Sequence, residues 1–132
     1  MERNILFVCL HGAAKSVLAA ADCRRVAAER GLAIRTASAG TEPDPELAPS
    51  VHRTLTEEGA DLAGQKPRRV SRADVAGAWR VVTFGCDLGE VAVPGVPVER
   101  WEDIPAVSDG LPAARKAIRA RLERLLEEVA KP

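Results

Sequence analysis

Cys9-Leu10-His11-Gly12-Ala13-Ala14-Lys15-Ser16 is the stretch on which the reading of this chain turns. Before it runs the apolar segment Ile5-Leu6-Phe7-Val8, which reads as a buried strand, and after it Val17-Leu18-Ala19-Ala20-Ala21 opens a helix. A cysteine at a strand's C-terminal edge, a short loop and a cation at a helix start form a layout for oxyanion chemistry. Loop N–H groups and the positive end of the helix dipole converge where an anion binds. The same field favours the thiolate, the reactive form of cysteine. A lone cysteine is more often a small buried hydrophobe. The strand, the loop spacing, Lys15 and Ser16 together favour an anion-binding loop with Cys9 as nucleophile. A lysine beside a helix N-terminus is unfavourable unless an anion compensates it, and Ser16 suits a helix N-cap.

Working outward, strands and helices alternate. Residues 4–9 read as the first strand, and residues 16–30 as a helix stopped by Gly31. Residues 33–37 alternate as a second strand, leading into Ser38-Ala39-Gly40-Thr41 and the turn-rich Glu42-Pro43-Asp44-Pro45. A helical pattern over 46–58 places Leu47, Val51 and Leu55 on one face. A polar connector at 65–69 follows, then a short helix near 70–75 capped by Ser71. Residues 80–84 and 96–101 read as the third and fourth strands. Leu111, Ala114, Ile118, Leu122, Leu125, Leu126 and Val129 mark a long C-terminal helix. This alternation predicts a single α/β domain over 1–132, a doubly wound four-stranded parallel sheet flanked by helices. Ligands in such sheets bind beyond the carboxyl ends of the strands. Cys9 sits there in this reading, and so does Cys86 after the third strand.

Composition excludes several classes. The chain has 132 residues and 46% apolar content, enough for one real core. Lys plus Arg and Asp plus Glu are 19 each, so no charge excess points to nucleic acid or an anionic membrane surface. No apolar run reaches membrane-spanning length, and none has signal-peptide form, so a cytoplasmic location is expected. Three cysteines, Cys9, Cys23 and Cys86, match neither a disulfide framework nor zinc spacing, and His11 and His52 lie far apart; no metal is expected. Frequent Ala, Arg and Val suggest a bacterial source of high GC content.

The order and spacing of these segments resemble the low-molecular-weight protein tyrosine phosphatase and thioredoxin-coupled arsenate reductase superfamily. Its motif is Cys, five residues, Arg, then Ser or Thr. Here the spacing and Ser16 match, and Lys15 stands at the arginine position. Arg would grip a tetrahedral oxyanion with a planar fork, whereas Lys supplies a point charge. His11 and Gly12 occupy positions where the family usually has Gly and Asn. Ser38-Ala39-Gly40-Thr41, the Glu57-Glu58-Gly59 turn, Val82-Thr83-Phe84-Gly85-Cys86 and Trp101 with its following acids resemble further parts of that family.

The resemblance implies roles. Cys9 is the nucleophile, and Leu10, His11, Gly12, Ala13 and Ala14 bind the substrate oxyanion through the loop. Lys15 stabilises charge, and Ser16 bonds the nucleophile as well as capping. The family's general acid is an Asp before Pro in a C-terminal loop; here the best match is Asp103, two residues before Pro105, with Glu102 and Asp109 behind it. Each of these also suits a plain surface or capping acid. Asp44-Pro45, the chain's Asp-Pro pair, reads as a turn. Cys86 is either a redox partner of Cys9 or a buried strand-end thiol, and Cys23 reads as a packed helix residue. With no cysteine after Cys86, an internal three-cysteine relay is incomplete, and a thiol or thioredoxin-type reductant would have to complete arsenate reduction. No cofactor is implied.

The leading expectation is a cysteine-dependent phosphatase or arsenate reductase acting on a small oxyanion or phosphorylated substrate. A degenerate anion-binding or regulatory relative, and repurposed thiolate chemistry such as acyl or sulfur transfer, stay open.

Overall fold

The structure, a computed structural model, describes residues 2–131. Its centre is β1 (Arg3–Cys9), whose last five residues are buried on both faces. That burial is why the segment is continuously apolar instead of alternating. β2 (Ile34–Gly40) and β3 (Arg80–Thr83) flank it, and β4 (Val98–Arg100) lies outside β3. All pairings are parallel, in the order β2-β1-β3-β4. The expected four-stranded parallel α/β sheet is thus present. The chain leaves β1 toward β2 and later returns to β3 on the other side. The carboxyl end of β1 is therefore the point where the winding reverses, and a crevice opens there.

α1 (Lys15–Glu29), α2 (Pro49–Glu57) and α4 (Leu111–Ala130) pack on one face of the sheet, and α3 (Arg72–Ala76) packs on the other. Alternation along β1 sorts the two layers. Ile5, Phe7 and Cys9 join Leu18, Ile118, Leu122 and Leu125, whereas Leu6 and Val8 join Val70, Val75, Val81 and Cys86. In α4, Ile118, Leu122, Leu125 and Leu126 are fully buried. At about 1.5–3 kcal/mol per fully buried aliphatic side chain, that stripe holds the helix in place. Behind Cys9, Phe7, Phe84 and Trp101 form an aromatic cluster with ring centroids 5.6–6.4 Å apart.

Most boundaries shift from the sequence reading by a residue or two, and three shifts have a clear physical reason. β2 continues through Gly40, because β1 offers it partners as far as Cys9. α2 starts at Pro49 and not at residue 46, since Ala48 is extended and Pro suits a first helical position. Leu47 is nevertheless buried. β4 starts at Val98, after Pro97, which has no N–H for the ladder but whose carbonyl accepts from Val81 N. Ser71 does cap α3, in a reciprocal capping box with Asp74. Asp109 does not cap α4; Gly110 holds that position, with no side-chain bond.

One buried feature had no sequence signal. Arg115 lies on the inner side of α4 and reaches Asp22 of α1, with Nε and Nη2 donating at 3.0 and 2.7 Å. It also donates through Nη1 and Nη2 to both oxygens of Glu58, at the end of α2. Asp22 is 1% exposed and Arg115 9%. The bidentate geometry satisfies both groups, which is what makes burial of the charges tolerable. Arg115 thus ties three helices together on the face that carries the site.

Candidate active site

Residues 9–16 connect β1 to α1, and their shape is fixed from behind. The carbonyls of Cys9, Leu10, His11 and Ala13 accept from the N–H groups of Thr41, Glu42, Asp44 and Ala48, at 3.2, 2.7, 3.0 and 2.9 Å. With the carbonyls turned toward the segment after β2, the N–H groups of residues 10–14 are left without backbone acceptors among the described residues. The turn needs Gly12 at φ +60°, with its backbone against that of Gly40. α1 then starts at Lys15 with no side-chain cap and no acid in its first turn, so its positive end is open. Ser16 is not the N-cap; Ala14 holds that position. Instead the Ser16 hydroxyl, fully buried, lies 3.0 Å from Cys9 Sγ. Against a thiolate it donates, and such a bond steadies the anionic sulfur. Cys9 itself is only 7% exposed.

A cleft of about 720 Å³ opens over Cys9. Its walls are largely apolar, from Leu10, Leu47, Pro49, Phe84 and Val107. Its polar groups, besides the anion loop, include Asp44 and Glu46. The arrangement offers a nucleophilic sulfur, donors for a tetrahedral oxyanion, and space for an organic group beyond it.

The remaining residues singled out by sequence fall in different places. Leu10, His11, Ala13, Ala14 and Lys15 line the cleft with Cys9, and Gly12 shapes the loop from below. The Lys15 ammonium donates to the Ile104 carbonyl at 2.9 Å, so it ties the anion loop to the segment before α4 and is not a solvated lysine. Asp103 does not line the cleft; its Oδ1 accepts from Arg121 Nη2 at 2.6 Å and its side chain is 68% exposed. That guanidinium holds the Asp103 carboxyl below the usual carboxylate range, an ionised state unsuited to giving up a proton. Glu102 is taken by Arg100, and Asp109 lies outside the cleft lining. Cys86 follows β3 but faces the opposite layer of the sheet, where its thiol donates to the Val8 carbonyl at 3.5 Å. Burial pushes that thiol up, and the nearby sulfur of Cys9 and the Asp87 carboxylate add to the rise. Cys23 is a packed helix residue whose thiol burial pushes up to about 12. Among the described residues no cluster of three or more His, Cys, Asp or Glu is placed to hold a metal.

Sequence reading passed over Asp44 and Glu46. Both belong to the proline-rich segment after β2, which the backbone bonds above hold against the loop, where it forms one wall of the cleft. The Asp-Pro pair was visible, but only the pairing of β1 with β2 brings its loop beside Cys9.

Comparison with known proteins fits this geometry. Residues 4–90 match the model of the family described as low molecular weight phosphotyrosine protein phosphatase. A Corynebacterium glutamicum thioredoxin-dependent arsenate reductase is similar over 96% of this chain, with 25% identity and a TM-score of 0.80. This chain spans 61% of that protein's length. An arsenate reductase from Archaeoglobus fulgidus is 29% identical, with a TM-score of 0.69 and coverage of 96% of this chain and 99% of its own. A low molecular weight phosphotyrosine phosphatase from Vibrio cholerae shares the fold, with a TM-score of 0.78, 14% identity, and coverage of 96% and 95%.

Proposed function

The chain belongs to the low molecular weight phosphotyrosine protein phosphatase family, and from that premise we propose that it is a cysteine-dependent enzyme acting on a tetrahedral oxyanion. The family needs no cofactor, so the chemistry rests on side chains and backbone. The observation that carries the reading is the Cys9 sulfur, 3.0 Å from a buried Ser16 hydroxyl, under a loop whose N–H groups at 10–14 meet no backbone acceptor among the described residues. Those donors and the start of α1 neutralise charge that develops on the equatorial oxygens in the transition state. Lys15 contributes positive charge from the next position. To touch the anion directly its ammonium has to exchange the Ile104 carbonyl for an oxyanion oxygen.

Room beside Cys9 favours a phosphoric monoester. The thiolate attacks phosphorus, an S–P bond forms as the bond to the leaving oxygen breaks, and water then hydrolyses the thiophosphate. The organic part of the ester lies along the apolar walls, which include the phenyl ring of Phe84. A second reading is supported by the similarity to two arsenate reductases. With arsenate, Cys9 forms the S–As adduct. Cys9 is the one cysteine lining the cleft, so an external thiol, of thioredoxin type or small, has to attack Cys9, release arsenite and leave a mixed disulfide. The adduct forms with loss of water, the two sulfurs of the new disulfide give up one electron each to take As(V) to As(III), and a further equivalent of thiol reduces the mixed disulfide and frees Cys9.

Iodoacetamide labelling across pH, joined to turnover of 4-nitrophenyl phosphate, tests the reading. Cys9 is expected to alkylate well ahead of Cys23 and Cys86, inorganic phosphate to slow it, and Cys9→Ser to abolish turnover. Arsenate reduction that depends on both Cys9 and an added thiol would select the second reading. Turnover of either substrate by Cys9→Ser sinks the nucleophile assignment. Phosphate protection of Cys9 without any turnover leaves an anion-binding protein.

A further inference from the structure

Asp103 is missing from the cleft, and the imidazole of His11 lines it. We propose that His11, held by Asp44, protonates the leaving oxygen; this deepens the phosphoric monoester reading and rests on it. His11 is two residues after Cys9 and lines the same cleft. Its Nδ1 lies 3.3 Å from Asp44 Oδ1 and 3.4 Å from the Glu42 carbonyl. A carbonyl oxygen can only accept, so Nδ1 carries the hydrogen in the neutral and in the charged ring alike. Nε2 is then the atom that takes up or releases the proton. The Asp44 carboxylate fixes the ring's orientation, a positioning role.

The pair is tied twice. Besides the side-chain contact, Asp44 N donates to the His11 carbonyl at 3.0 Å. Pro45 restricts the backbone of Asp44 further. The Asp-Pro pair thus serves the cleft from the β2–α2 connection and through a histidine. The charged and titratable groups that line the cleft with His11 are Cys9 and Lys15 on its own segment, and Asp44 and Glu46 on the opposed one, with Glu42 beside its Nδ1; the segment 106–108 contributes none to the lining.

The proton count closes within this site. As Cys9 Sγ bonds to phosphorus and the ester P–O bond breaks, the leaving oxygen takes the proton from His11 Nε2. Neutral His11 then takes a proton from the attacking water. The S–P bond breaks, phosphate leaves, and Cys9 returns to thiolate with His11 recharged.

The test compares phenyl phosphate, whose leaving group needs protonation, with 2,4-dinitrophenyl phosphate, whose leaving group departs unaided. His11→Gln is expected to lower kcat/KM, which reports only the steps through P–O cleavage, about 100-fold on phenyl phosphate and only a few-fold on the dinitrophenyl ester, in line with general acid contributions. The alkaline limb of the wild-type pH profile on phenyl phosphate should vanish with it. Asp44→Asn should give a smaller loss of the same selectivity. Phosphate protection of Cys9 from iodoacetamide should survive in both variants, which shows the anion loop intact. Equal losses on both esters, or a leaving-group-dependent loss in Asp103→Asn with His11→Gln unaffected, overturns the proposal. Wild-type protein without Cys9-dependent turnover would instead overturn the underlying nucleophile reading, a separable result.

Discussion

Gly40→Ala is a perturbation of one methyl group, outside the anion loop, that should disable the site. Gly40 ends β2 opposite Cys9, and its φ lies outside the left-handed region, so alanine carries no conformational strain there. The obstacle is steric. A Cβ built on Gly40 meets Gly12 N at 2.6 Å, the His11 carbonyl carbon at 2.8 Å and Gly12 Cα at 2.9 Å, all of them backbone atoms. Gly40 has little freedom to retreat, because its N–H donates to Arg68 O and its carbonyl accepts from Val70 N, both at 2.9 Å. The anion loop therefore has to yield, by about 0.8 Å, to restore an ordinary contact. An overpacked contact of this kind costs about 1–3 kcal/mol of stability. Misplacing reacting groups by close to 1 Å costs about 100-fold in rate. The assay is kcat/KM on 4-nitrophenyl phosphate together with phosphate protection of Cys9 and a urea unfolding curve. Loss of protection and about 100-fold lower kcat/KM in a folded protein is the expected result. Gly31→Ala serves as control: it meets nothing within 4 Å but sits at φ +66°, so it should lose stability and keep its turnover. A folded Gly40→Ala protein with wild-type turnover would refute the argument that this backbone contact sets the loop.

Two further outcomes concern the buried charges. Asp22→Ala leaves the Arg115 guanidinium, 9% exposed, with Glu58 alone, and the loss of a partner from a buried pair should cost about 3 kcal/mol in urea denaturation. A change below 1 kcal/mol would mean that solvent reaches Arg115. Glu58 is held below the usual carboxylate range by its bonds from Arg115, so its contribution is present above the unfolded-state value and is lost as pH falls through the folded one. The urea midpoint of the wild type should therefore drop on the acid side more steeply than that of Glu58→Gln; parallel acid limbs would contradict the linkage.

The strand, loop and helix around Cys9 were legible because apolar runs and local periodicity come from burial that short segments carry in themselves. The α4 stripe was legible for the same reason. Arg115 was not: it falls on the buried side of α4, and nothing nearby in sequence reveals that Asp22 and Glu58 will meet it. The placement of Asp103 outside the cleft was hidden for a related cause. Asp103 lies in the family's expected loop, yet Arg121, one of the basic residues of α4, draws its carboxylate outward. Cys86 sits at a strand end as expected, but a side chain's face depends on register and on the turn at Gly85, φ +73°.

By itself the sequence determined the α/β alternation and the strand–loop–helix around Cys9, since both rest on patterns between near neighbours: apolar periodicity, a Cys-to-Ser spacing and a helix start. What only the tertiary structure decided is which distant groups share the cleft. Parallel pairing of β1 with β2 carries Asp44 to His11 and presses Gly40 on Gly12, while packing of α4 removes Asp103. Those outcomes depend on loop closure over tens of residues, where many pairings are chemically equivalent until the sheet fixes one.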